Sequence, residues 1–116
     1  MLKPPKRILV PIDMSTFSLS ALLYAEDIAD YFGAEIIVAH VAEEEDPVAK
    51  AYGEKGSKDS KEDVERRIKS AISHLLIDHN VVTKSIRIEI RHGSPAVEIV
   101  RLARQAEADL IVMSSH

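Results

Sequence analysis

An open three-layer α/β/α domain on a parallel sheet, Rossmann-like in its winding, is the fold class this sequence predicts. Short β-branched apolar runs alternate with longer segments whose apolar residues recur at helical spacing, in the order β-α-β-α-β-α-β. The strand runs are apolar at nearly every position, as strands covered on both faces of a parallel sheet are. One run alone alternates strictly, which marks a sheet edge. Right-handed crossovers then place helices on both faces.

The first strand is Ile8-Leu9-Val10-Pro11-Ile12, set between Arg7 and Asp13. Pro11 has no N–H to give a ladder, so it belongs at the strand's end. Residues 13–18, Asp-Met-Ser-Thr-Phe-Ser, form a polar turn rich in N-cap residues. Ala21, Leu22, Ala25, Ile28, Ala29 and Phe32 mark the inner face of the first helix, and Gly33 is its C′ residue. Residues 34–41 form the second strand. The composition then shifts to Glu43-Glu44-Glu45-Asp46, Pro47, Gly53, Gly56 and several lysines, so residues 42–60 are predicted to be a long flexible connection. Its acidic run is expected to be simply solvated.

Ser60-Lys61-Glu62-Asp63 resembles a capping box with Asp in the usual place of Glu. Behind it Val64, Ile68, Ala71, Ile72, Leu75 and Leu76 make one apolar stripe. The third strand alternates Ile86, Ile88 and Ile90 with Arg87, Glu89 and Arg91, the pattern assigned to the edge. In Gly93-Ser94-Pro95, Ser94 is the expected N-cap and Pro95 stands at N1, where a missing N–H costs nothing. Ala96, Ile99, Val100, Ala103 and Ala106 supply the expected inner face of the third helix. Leu110-Ile111-Val112-Met113 is the fourth strand, followed by Ser114, Ser115 and His116.

The 116 residues make one domain. With 15 basic and 19 acidic side chains the net charge is 15 − 19 = −4, a poor match to binding nucleic acid by phosphate neutralisation. Cysteine is absent, which removes disulfides, thiolate metal sites and cysteine catalysis. No apolar run has membrane-spanning length, and the N-terminus has no secretory h-region, so the expected location is the cytoplasm.

In open parallel sheets, ligands bind beyond the carboxyl ends of the strands where the winding reverses. The residues there are Pro11, Ile12 and Asp13, then Val41, then Gly93 and Ser94, then Met113, Ser114, Ser115 and His116. Asp13 is the one carboxylate directly after a buried strand. It can cap the following helix, accept a hydrogen bond from a ligand, or hold a cation through water. A phosphoacceptor receiver site is excluded because the third strand ends in Arg91-His92-Gly93 and the late chain offers serine, not lysine. A dinucleotide fingerprint is excluded because the turn after the first strand has no glycine. His40, His74, His79, His92 and His116 lack metal-ligand spacing. Ser114, Ser115 and His116 lack the surroundings of a nucleophile elbow, so no catalytic residue is assigned.

In this order and spacing, several segments resemble the universal stress proteins, an adenine nucleotide alpha hydrolase-like family. They are Arg7 to Asp13 with Ser15, the Ala-rich helix to Phe32-Gly33-Ala34, Ala39-His40-Val41, Gly93-Ser94-Pro95 with Glu98-Ile99, and Ala108 to Met113. The resemblance covers nearly the whole chain apart from residues 42–60. It implies a five-stranded parallel sheet in the order 3-2-1-4-5. It further implies a homodimer in full-length form and a cytoplasmic stress-response switch bound to ATP, or to AMP or ADP, with Mg²⁺ accompanying the nucleotide.

By that resemblance, adenine and ribose lie against Pro11, Ile12, Asp13 and Val41, with Ser15 nearby. The triphosphate lies on a glycine-rich loop after strand four, here opening with Met113, Ser114, Ser115 and His116. Ser114 occupies the first glycine's slot, and the rest of that motif is not in this sequence. A wholly apolar fourth strand at an exposed edge is an aggregation template. The expectation is therefore that His116 is a truncation point or the last ordered residue, with strand five missing. The alternative function is a non-nucleotide-binding module of the same fold that regulates an unknown protein partner.

Overall fold

A computed structural model describes residues 3–13, 16–43, 60–81 and 85–114. The elements run β1 (Arg7–Pro11), α1 (Thr16–Phe32), β2 (Glu35–Ala42), α2 (Lys61–Asp78), β3 (Ile86–His92), α3 (Pro95–Gln105) and β4 (Leu110–Ile111). The four strands are all parallel, in the order β3-β2-β1-β4. The expected layering and strand order are both observed. Most of the predicted flexible connection, residues 44–59, lies outside the described residues.

β1 is central because its sequence tolerates no water. Ile8, Leu9 and Val10 are completely buried, and Pro11 ends the strand opposite Ala39. Alternate side chains of β1 and β2 feed two cores. Ile8, Val10, Ile36 and Val38 pack with α1 and α2, whereas Leu9, Ile37 and Ala39 pack with Leu102 of α3. Gly33 stops α1 at φ +72°, a left-handed conformation that favours glycine, with its N–H on the Ala29 carbonyl at 2.7 Å.

Several local expectations change. Phe32 is exposed, its ring edge-on to Tyr31 with centroids 4.8 Å apart, because it falls at the helix end beyond the sheet contact. On α3 the buried residues are Glu98 and Leu102, while Ala96 and Val100 face outward. Ser94 occupies the N-cap position but makes no side-chain capping bond. Ser60 does cap α2, accepting from the Asp63 N–H at 3.2 Å. The shorter Asp63 carboxylate accepts from the Ser60 hydroxyl at 3.0 Å, so the reciprocal bond to the Ser60 N–H is replaced.

β4 pairs only through Leu110 and Ile111, shorter than the four residues expected. Among the described residues it has one neighbour, β1, and Leu110, Ile111 and Met113 remain exposed. At the opposite edge β3 carries charge instead, with Arg91 to Glu89 at 2.9 Å and Arg87 to Glu35 at 3.8 Å. Charge of this kind discourages edge-to-edge pairing.

The amino end of the sheet is tied by Asp109. Its Oδ2 accepts the N–H groups of Lys6 at 2.8 Å and Arg7 at 3.0 Å, and its own N–H donates to the Arg7 carbonyl at 2.9 Å. Those two backbone donors hold the Asp109 carboxyl below the ordinary 3.8. A depressed folded-state pKa contributes stability above the unfolded value and loses it as pH falls through the folded one. Asp109→Ala should therefore lower the melting temperature at pH 7, and the difference from wild type should shrink on acidification below the ordinary carboxylate range. A difference unchanged down to strong acid would contradict the clamp. For the core, Leu22→Ala should cost about 2–5 kcal/mol in denaturant unfolding. Tyr31→Ala, on the exposed side of the same helix, should stay within about 0.5 kcal/mol.

Candidate functional site

Reversal of winding at β1 sets the site. From β1 the chain steps to β2 and then β3 on one side, and β4 returns on the other. Helices α1 and α2 therefore cover one face and α3 the opposite one. The carboxyl end of β1 opens where these layers diverge, the usual position of a ligand crevice.

Pro11, Ile12 and Asp13 form a bend between β1 and α1. The Ile12 N–H donates to the Ala39 carbonyl at 2.8 Å, the last backbone tie between β1 and β2 at this end. The Ile12 carbonyl accepts from Nδ1 of His40 at 2.9 Å. The Asp13 N–H donates to the Ser18 hydroxyl at 3.4 Å. Asp13 itself is exposed. Three residues on, α1 begins, and its first turn carries no acidic side chain. The partial positive charge of that helix end therefore faces an edge where an anion would be favoured.

The other strand ends close the edge. Val41 is half-buried and Ala42 is the last residue of β2. The Ala42 carbonyl accepts from the Gly93 N–H at 3.1 Å, which ties the end of β2 to the turn after β3. Gly93 sits at φ +131°, a conformation strained for any L side chain, even though a Cβ there would meet Glu98 at an ordinary 3.5 Å. Beyond β4 the Val112 N–H donates to the Leu9 carbonyl at 3.0 Å, and the chain leaves beside the end of β1 through exposed Met113 and half-buried Ser114.

Pro11, Ile12, Asp13, Val41, Met113 and Ser114 thus share one edge of the sheet. Ser15, Ser115 and His116 lie outside the described residues. The buried polar side chains Ser18, His40 and Glu98 were not assigned from sequence, and all three stand at this edge. The signal for His40 was a lone imidazole in an otherwise apolar strand run. Glu98 pairs with Arg101 at 2.5 Å beneath the Gly93 turn. Among the described residues no three potential metal-ligating side chains converge. The edge offers backbone N–H and C=O groups, the exposed Asp13 carboxylate at the end of β1 and the N-terminus of α1. That set suits a polar ligand carrying hydroxyls and an anion.

A family model described as the universal stress protein family matches residues 4–116. The chain is 34% identical over 113 residues to the universal stress protein MJ0531 of Methanocaldococcus jannaschii, covering 95% of this chain and 64% of that protein. It therefore spans just under two thirds of that relative's length. Among solved structures it is similar to a universal stress protein in complex with cAMP, with TM-score 0.70, 23% identity, and coverage of 95% of this chain and 76% of the other. A universal stress protein family protein from Arabidopsis thaliana with AMP bound matches with TM-score 0.62 and 18% identity over 96% of this chain and 77% of that one. The parallel order β3-β2-β1-β4, the family match across nearly the whole sequence and the identity to MJ0531 agree: the chain belongs to the universal stress protein family.

Proposed function

We propose that this domain binds an adenine nucleotide at the carboxyl edge of its sheet and serves as an ATP-dependent stress-response switch. The observation that carries the proposal is the bend at Pro11, Ile12 and Asp13, at the carboxyl end of the strand where the winding reverses. It is supported by two family members of the same fold that were solved with cAMP and with AMP. Adenine and ribose would lie against Pro11, Ile12 and Val41, with Asp13 accepting from a ribose hydroxyl and Ser15 close by. Phosphates would extend toward Met113, Ser114, Ser115 and His116.

Mg²⁺ commonly keeps several waters and binds through substrate phosphates with one or two carboxylates. A single carboxylate, Asp13, fits an ion brought in on the phosphates and reached through water. Such an ion would neutralise phosphate charge. The proposal extends to a cytoplasmic location and to a homodimer of the full-length protein that acts on a protein partner. No helix among the described residues is long and apolar enough to cross a membrane.

A second role, as an interaction module of the same fold that binds no nucleotide, is favoured by one feature. Ser114 stands where the phosphate loop would open with glycine. Calorimetric titration with ATP and with AMP separates the two. Saturable binding tighter than about 1 mM supports the nucleotide role, and its absence for both ligands contradicts it. Asp13→Ala should weaken binding about 10-fold or more, as loss of a charge-assisted hydrogen bond does, with little change in the melting temperature of the free domain. An equal loss of melting temperature with and without nucleotide would make Asp13 a helix-capping residue instead.

A further inference from the structure

We propose that His40 is a positioning residue which, with Ser18, locks the Ile12–Asp13 peptide plane and so aims Asp13 into the crevice. The proposal rests on the nucleotide reading for its functional consequence and on geometry alone for the lock itself.

The Ile12 carbonyl and the Asp13 N–H belong to one rigid planar unit. Each end of that unit is held by a buried side chain. His40, only 5% exposed, reaches the carbonyl through Nδ1 at 2.9 Å, and Ser18, 3% exposed, accepts from the N–H at 3.4 Å. A carbonyl oxygen only accepts, so Nδ1 carries the hydrogen. His40 lies 28 residues away on β2, on the same face as Val38 and Ala42, so the bond crosses from the neighbouring strand. Ser18 comes from the first turns of α1. The plane is therefore clamped between the sheet and the helix that follows it.

The need for a clamp follows from the sequence. Pro11 contributes no N–H, and the β1–β2 register ends at Pro11 opposite Ala39. Past that point, among the described residues, the backbone tie to β2 runs from the Ile12 N–H to the Ala39 carbonyl. Without an outside donor the Ile12 carbonyl could rotate, carrying the Cα–Cβ direction of Asp13 with it. An imidazole buried in a strand run such as Ala-His-Val costs desolvation unless it is bonded. Here its Nδ1 bond falls on the peptide next to the one exposed carboxylate at the end of β1.

The test compares His40→Leu, His40→Asn and His40→Gln with wild type. Asn places its amide nitrogen near the position of Nδ1, Gln near that of Nε2, and Leu removes the donor. Hydrogen exchange at the Asp13 amide is measured by NMR on the free domain, and AMP affinity by calorimetry. The lock predicts faster Asp13 exchange in the Leu and Gln variants, with near wild-type exchange in Asn. It also predicts AMP binding weakened about five- to tenfold in Leu and Gln and restored within about threefold in Asn. Should Leu fail to fold, the contrast between Asn and Gln decides. Equal exchange at Asp13 in Asn and Gln, or unchanged exchange in a folded Leu variant, overturns the lock. If wild type binds no AMP, the nucleotide reading fails while the exchange data still decide the lock.

Discussion

Everything in this molecule depends on the reversal of winding at β1. The strand order β3-β2-β1-β4, combined with right-handed crossovers, forces α1 and α2 onto one face and α3 onto the other. β1 must then be apolar on both sides, and Ile8, Leu9 and Val10 are completely buried. The same reversal parts the layers at the end of that strand, so a fully buried strand carries its terminal bend to the edge where open parallel sheets receive ligands.

Polar groups divide between the two ends of the sheet. At the amino end Asp109 joins β1 to β4 through three bonds with the backbone of Lys6 and Arg7, a structural clamp at an exposed site. At the carboxyl end three polar side chains are buried: Ser18 and His40 hold the bend after β1, and Glu98 underlies the turn after β3. Burying such groups is unfavourable unless they are bonded. The hydrogen bonds of Ser18 and His40 hold the backbone at the bend after β1, at the carboxyl end of the sheet.

Much of this was legible in the sequence because it depends on local rules. The apolar runs, Pro11 at a strand end and Gly33 closing α1 follow from backbone chemistry, and the alternation in β3 placed it at the edge. Helix faces were less legible where an apolar stripe is wider than the contact it makes. Ala96 and Val100 fitted the period of α3, yet the sheet buries Glu98 and Leu102. The length of β4 is set by backbone pairing with β1, which apolar side chains do not report, and among the described residues the register ends at Ile111. The bond from His40 to Ile12 was hidden for a different reason. It joins residues on separate strands, and no periodicity reports a contact across 28 positions.

Backbone amide shifts on titration with AMP report directly whether nucleotide binds at the carboxyl edge of the sheet. Saturable perturbations are expected to cluster at Ile12, Asp13, Val41, Ala42, Met113 and Ser114, with Lys6, Arg7 and Asp109 at the opposite end of the sheet unmoved. Saturable shifts centred on Lys6, Arg7 and Asp109, or none at any residue at millimolar AMP, would contradict it.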